Sequence, residues 1–295
     1  MKKHAILTAV LLVVLLLPVM ASANMAMPAF PGVASTVTFE KNDVISVVNE
    51  VLDITVHGAE ADISAVYRMK NTSDTAVITP AMFISPNIKN ETPKVTADNK
   101  NVGYTTEKYR LSGSFDDILA VDDWKFVTAG EPTEDDVAYG DTFDAIYFEL
   151  SFEPNEEYDV AVSYSYALGG YPAYDYNAKY GEIRYYLSPA SYWKNFGGLT
   201  INLCLDEDMP VLKSSNLDFE KVGKRTYRFE SAELPTSELK IVIDENRWQE
   251  FVGTLKSPYL LMSIVYYVPF LLIIAVIIGV VVWLTVRSIK KKKAQ

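Results

Sequence analysis

The chain has 295 residues, is 49% hydrophobic, and carries 38 acidic against 27 basic residues for a formal net charge of -11. That surplus repels phosphate backbones and anionic head groups, which excludes nucleic acid as a partner. One cysteine excludes an intramolecular disulfide, and removal of an N-terminal signal that contains His4 would leave His57 as the only histidine, which excludes a multi-histidine metal centre.

The N-terminus has Lys2 and Lys3, an apolar run from Ala5 to Leu17, then Pro18 and the small-residue triplet Ala21-Ser22-Ala23. This pattern is a secretory signal covering residues 1–23, with cleavage after Ala23. Its apolar run is well short of the ~20 residues that span a bilayer. Residues 24–35, rich in Pro, Ala and Met, read as a flexible leader.

From residue 36 the pattern is that of a β-protein. Leu52, Ile54 and Val56 alternate with Asp53, Thr55 and His57, Gly58 to Ala61 turns the chain, and Ile63, Ala65, Tyr67 and Met69 continue one face of a returning strand. Val95 to Tyr104 repeats the hairpin around Asp98-Asn99-Lys100-Asn101, and Phe219 to Phe229 does so around Val222-Gly223-Lys224. Further strands are expected at Ala145–Phe152, Tyr158–Leu168, Glu182–Leu187 and Leu239–Ile243. Many short strands with spaced turns predict an all-β fold, an antiparallel β-sandwich. Residues 36–168 read as one sandwich domain and 169–250 as a second β lobe.

Residues 112–144 interrupt that pattern. Ten carboxylates there meet one basic residue, Lys125, and the segment reads as an exposed excursion with a short helix near Phe115–Trp124. Asp116, Asp117, Asp122 and Asp123 offer the hard oxygen ligands that calcium takes. They lack EF-hand spacing, and charge runs of this kind are usually solvated, so no metal or other cofactor is expected.

Nine of the 19 tyrosines fall between Ser163 and Phe196. Tyr164 and Tyr166 are in phase with Val160, Val162 and Leu168, which places them on a buried sheet face. Ser188, Pro189 and Gly197 have the order of N-cap, first helical residue and terminating glycine. Pro189–Phe196 is therefore expected to form two short turns that gather Tyr192, Trp193 and Phe196 in the core. Tyr171, Tyr174, Tyr176 and Tyr180 sit among Gly, Pro, Asp and Asn without periodicity. They are the candidate ligand-binding residues, because tyrosines on a loop supply amphipathic contact area at low entropic cost and stack on sugars. In the next strand, Cys204 shares a face with Thr200 and Asn202 rather than with Leu199, Ile201 and Leu203.

The uncharged run from Ser257 to Val286 reads as a transmembrane helix, closed by Arg287 and by Lys290 to Lys293. Tyr266 and Tyr267 lie about 24 Å along such a helix from Trp283, close to the apolar thickness of a membrane. Residues 287–295 form a basic tail that places itself in the cytoplasm and residues 24–256 outside. All 38 acidic residues but 20 of the 27 basic ones belong to that outer part. Pro269 is a kink point, and Ala275 with Gly279 makes a small-xxx-small pair suited to a helix partner. Leu234-Pro235-Thr236-Ser237-Glu238 lacks the Thr-Gly pair of a cell-wall sorting signal, so the anchor is permanent.

YRMKNTSDTAVITPAMFISPN (67–87), VTADNKNVGY (95–104) and FEPNEEYDVAVSYSY (152–166) together resemble the strand order of vault/inter-alpha-trypsin-type β-domains. The chain is also similar to bacterial surface proteins of unknown function that combine a signal peptide, a β-ectodomain and one anchor, here through the segment Tyr186–Trp193. The first resemblance implies a following metal-dependent adhesion domain with a DxSxS motif. The nearest match, Asp62-Ile63-Ser64-Ala65-Val66, lacks the last serine and lies in a hairpin strand, which speaks against adhesion of that type.

No GxSxG elbow, phosphate loop or CxxC pair occurs. His57, beside a turn glycine, reads as a surface residue at a strand end. These features favour a non-enzymatic, single-pass cell-membrane protein whose outer domain binds a protein or glycan. The alternatives are an accessory subunit acting through its transmembrane helix, and a hydrolase using paired carboxylates.

Overall fold

The computed structural model describes residues 25–28, 36–37, 39–89, 92–111, 126–127, 142–169, 180–256 and 258–292. These fall into a β-rich unit that ends at Asp244 and a helical unit that follows from Glu245.

Among the described residues, three sheets build the β-rich unit. The first has seven strands, in the order Thr36–Val37 (β2), Phe126–Val127 (β10), Tyr104–Leu111 (β9), Thr142–Phe152 (β11), Val77–Ser85 (β6), Met25–Pro28 (β1) and Phe39–Glu40 (β3). The second has eight: Glu220–Lys221 (β16), Thr226–Ser231 (β17), Leu199–Cys204 (β14), Ile45–His57 (β4), Glu60–Asn71 (β5), Glu157–Ala167 (β12), Lys94–Ala97 (β7) and Lys100–Asn101 (β8). The third joins Tyr180–Tyr185 (β13), Leu239–Asp244 (β18) and Val211–Ser215 (β15).

Turn chemistry sets the hairpins as expected. His57 pairs with Glu60 across a two-residue turn in which Gly58 has φ +60°, a conformation open to glycine because it has no Cβ. Asp98 and Asn99 both have positive φ, which suits the right-handed twist of β7 and β8. Alternation then drives burial: every second residue of β5 from Ala61 to Asn71, and of β12 from Tyr158 to Tyr166, is buried. Each such apolar side chain contributes about 1.5 to 3 kcal/mol on leaving water. One continuous core combines Ala65, Tyr67, Val160 and Val162 of the second sheet with Phe83 and Ile146 of the first and Ile183 and Ile241 of the third.

Asn71 connects the sheets. Residues 72–76 lead from β5 to β6 and residues 153–156 from β11 to β12, and the fully buried Asn71 holds both connections. Its Nδ2 donates to the carbonyls of Thr75 (2.7 Å) and Glu153 (2.9 Å), and its Oδ1 accepts from the amide and hydroxyl of Ser73. A buried amide is stable only when satisfied in this way.

Several expectations are corrected. Residues 25–28 of the expected flexible leader form β1, between β6 and β3, with Met25 and Ala26 fully buried. They point into different clusters, Met25 into the main core and Ala26 into a second one with Phe39, Met82, Ile84, Phe143 and Tyr186. Because both faces of the sheet are covered at this strand, Met25 and Ala26 show no alternation to read. The acidic excursion ends sooner than residue 144, since Thr142, Phe143 and Asp144 are buried in β11. Asp144 is tolerated there because Lys108 Nζ donates to its Oδ1 at 2.6 Å. The expected helix at Phe115–Trp124 lies outside the described residues.

The residues after 169 share a sheet with those before it. β14 pairs in parallel with β4, from Leu199 opposite Glu50 to Cys204 opposite Thr55, so the architecture is mixed rather than purely antiparallel. Trp193 and Phe196 join the main core while Tyr192 packs on Phe39 in the second cluster, so the three rings expected together are divided between the two faces. A 3₁₀ turn at Ala190–Tyr192, preceded by Pro189 in the right-handed helical region, makes that division.

Gly197 sets the approach of this segment to β4. Its amide donates to the Val47 carbonyl at 3.0 Å, and an added Cβ would lie 2.1 Å from the Val48 carbonyl oxygen. Backbone cannot yield as a flexible side chain does, so Gly197→Ala is expected to cost about 1 to 3 kcal/mol, read as a lower urea midpoint of the full-length protein in detergent micelles. An unchanged midpoint would show that the β4 edge moves freely there.

The helical unit holds Arg247–Lys256 (α1) and Pro258–Lys292 (α2). The start of α1 is a side-chain cap: Asn246 Oδ1 accepts from the amides of Trp248 and Gln249, and Gln249 Oε1 accepts from the Asn246 amide. The second-lobe reading to residue 250 therefore ends in helix rather than strand. α2 runs without interruption across Pro269 and through Arg287 to Lys292.

Candidate functional site

The alternation of Leu52, Ile54 and Val56, extended backwards, puts Glu50 on the buried face of β4. A bulge between Val47 and Asn49 then shifts the phase so that Val47 and Ile45 also point inward. Glu50 is consequently fully buried, directly opposite Tyr67 of β5. Tyr185 of β13 meets them from the third sheet: its hydroxyl donates to Glu50 Oε1 at 2.8 Å and lies 3.0 Å from the Tyr67 hydroxyl. Phe83 of β6 stands edge-on to Tyr185 and Tyr164, with centroids 6.3 and 5.5 Å away. The Tyr164 and Ser85 hydroxyls are 2.7 Å apart, and the Tyr166 hydroxyl accepts from the Arg184 amide at 3.1 Å. A polar seam thus runs through the core where all three sheets meet.

Burial dominates the electrostatics of this seam. It pushes the Glu50 carboxyl up to about 7, against the opposing hydrogen bonds of Tyr185 and Tyr67. Oε2 of Glu50 has no hydrogen-bond partner among the described residues, so the charged form is only half compensated. Tyr67 and Tyr185 are pushed well above the usual phenol range, first by burial and then by the Glu50 charge. Glu238, buried in the turn before β18, also rises to about 7 through burial, although it accepts from the Ser188 hydroxyl and from the amides of Leu187 and Ser188. Neither carboxyl is reachable from solvent, so each can bind a proton but meets no dissolved substrate.

Of the predicted ligand-binding residues, Tyr171, Tyr174 and Tyr176 lie outside the described residues, as do Asp116, Asp117, Asp122 and Asp123. Tyr180 is the half-buried first residue of β13, its backbone paired with Asp244. Gly169 and Glu182, on either side of residues 170–179, exchange two backbone hydrogen bonds of 3.0 and 2.7 Å. His57 is exposed, with Nε2 3.3 Å from the Asp62 carboxylate, and Cys204 is an exposed free thiol, both as expected. Among the described residues no group of three or more His, Cys, Asp or Glu is placed to hold a metal ion.

Within α2, Met262–Leu284 is a 23-residue stretch long and apolar enough to cross a membrane, and none of it is buried. Its length of about 35 Å matches a hydrocarbon core of about 30 Å with a modest tilt. At the far end the Arg287 guanidinium stacks over the Trp283 ring at 5.0 Å.

No family model matches the chain, and no curated protein matches it. Solved structures resemble it only weakly. A candidate nutrient-binding protein from Legionella pneumophila is 13% identical with a TM-score of 0.49, over 82% of this chain and 79% of that one. A two-domain M1 zinc metallopeptidase bound to L-tryptophan is 10% identical with a TM-score of 0.36, over 70% of this chain and 44% of that one. Yeast LTA4 hydrolase gives 10% identity and a TM-score of 0.36, over 74% of this chain and 31% of that one. This chain spans less than half the length of the two enzymes. Likeness at this level says nothing of activity.

Proposed function

We propose that this is a single-pass membrane protein whose acidic β-domain lies outside the cytoplasm and binds a protein or glycan, without catalysing a reaction. The observation that supports anchoring is the fully exposed apolar stretch Met262–Leu284, followed at once by Arg287 and the terminal lysines. Support for a binding role comes from the loop that begins after Gly169. Tyr171, Tyr174 and Tyr176 follow Gly169 in the sequence and Tyr180 opens β13, and the Gly169–Glu182 hydrogen bonds join the chain on either side of them. Such a mount lowers the entropy lost when aromatic residues close on a partner.

The test replaces the four tyrosines together by serine in the full-length protein. In-cell crosslinking with mass spectrometry first identifies the wild-type partner, and the variant is expected to lose it. Urea unfolding should change by about half a kcal/mol per residue, as for surface substitutions. Retained crosslinking with unchanged stability would place the contact elsewhere, and a collapse in stability would show the loop to be packed. Assembly through Ala275 and Gly279, a small-xxx-small pair one helical turn apart on α2, is the second reading. Exchanging the span for polyleucine separates the two, since surface capture survives that exchange and helix assembly does not.

A further inference from the structure

We propose that α1 is a membrane-interface helix that lies along the outer leaflet, with Trp248, Phe251, Val252 and Leu255 inserted at the boundary between phospholipid head groups and acyl chains. The inference rests on the anchoring role of α2.

The geometry begins with the helical period. At 100° per residue, Trp248, Phe251, Val252 and Leu255 fall within one arc of about 100°, and every polar residue of α1 falls outside it. Arg247, Gln249, Glu250, Thr254 and Lys256 occupy the opposite side with Gly253. The apolar arc is not covered: Trp248 is 70% exposed, Leu255 55% and Phe251 52%. Trp248 and Phe251 stand beside each other, with ring centroids 5.7 Å apart. In water an exposed group of this composition would be a liability, whereas at a membrane surface it is the usual form of a helix that lies in the interface.

What selects lipid as the occupant is chain length. α1 ends at Lys256 and α2 begins at Pro258, with one residue between them. Leu255 is seven residues from Met262, where the apolar span begins, a path of at most about 15 Å. The head-group layer is about 5 to 7 Å thick on each side of the hydrocarbon, so this end of α1 is tethered within about 10 Å of that layer, and a helix that runs along the surface from there lays its apolar arc on the lipid. Tryptophan suits that depth because its ring is apolar and its N–H polar. The polar arc carries both signs, Arg247 and Lys256 against Glu250, so the contact needs no anionic lipid.

The test is nitroxide scanning of the full-length protein in phosphatidylcholine vesicles, on a Cys204→Ser background. Single cysteines are placed one at a time at positions 248 to 255, with Val276→Cys in the span as the reference. Spin relaxation then compares collisions with oxygen, which concentrates in lipid, against those with a water-soluble nickel chelate. Positions 248, 251, 252 and 255 are expected to favour oxygen several-fold over 249, 250, 253 and 254, in a 3.6-residue period. Equal ratios at all positions would mean a solvated helix and overturn the proposal. Low collision with both reagents at the apolar positions would mean that protein covers them, which also overturns it. In both cases an oxygen-rich signal at position 276 leaves the anchor standing, and a water-exposed signal there removes anchor and interface helix together.

Discussion

Trp193→Ala is expected to lower the unfolding free energy by about 3 to 5 kcal/mol, the range for deleting a large buried ring. Trp193 is 1% exposed in the main core, and its indole N–H donates to the Met25 carbonyl of β1. Truncation therefore leaves both a cavity and an unpaired carbonyl within a buried sheet. The loss should be local as well as global. Hydrogen exchange at Met25 and Ala26 is expected to accelerate, because these residues hold β1 between β6 and β3. Trp193→Phe separates the two contributions by keeping most of the volume and removing the donor, and about 1 to 2 kcal/mol should be lost. If Trp193→Ala unfolds at the wild-type urea concentration, the ring does not tie the turn to the core.

The second large effect is on pH dependence. The Glu50 carboxyl lies at about 7 in the folded protein against 4.5 when exposed, so between these values the folded state holds more of its proton. Stability from this group is therefore complete below about pH 4.5 and is lost as pH rises through 7, by up to about 3 kcal/mol. Glu50→Gln keeps an acceptor for the Tyr185 hydroxyl and removes the charge. The variant is expected to be about 1 to 3 kcal/mol more stable than wild type at pH 8.5, with a difference that shrinks steadily toward pH 5. Urea midpoints at several pH values measure this. A difference that does not vary with pH would show that Glu50 is ionised or neutral throughout. Glu238 contributes a dependence of the same sign, present in both proteins and cancelled in the comparison.

A core carboxyl of this kind is destabilising near neutral pH, and the surrounding bonds only partly offset it. Tyr185 satisfies one oxygen and leaves the other without a partner among the described residues. The domain should accordingly be firmer in mildly acidic surroundings than in alkaline ones, and Asp144, also raised by burial, acts in the same sense.

Local rules by themselves determined the strand character of β4, β5, β11 and β12, the turns at Gly58 and Asp98-Asn99, the burial of Tyr164 and Tyr166, and the apolar helix. Each depends on neighbours a few residues away: side-chain alternation, backbone conformation at a turn, or unbroken apolarity. Glu50 was also within reach of the alternation, since it is in phase with Leu52, but an acidic residue just before a recognised apolar alternation looks solvated until its opposite strand is known. The Asn246 cap with Gln249 was likewise legible and marks α1. Only the tertiary structure decided that β1 is a buried strand, that β14 runs parallel to β4, and that Tyr192 and Trp193 part company. The physical reason is common to all three. A strand covered on both faces carries no polar phase, and pairing between residues 150 positions apart is selected by how surfaces fit once collapsed, which no window along the chain contains.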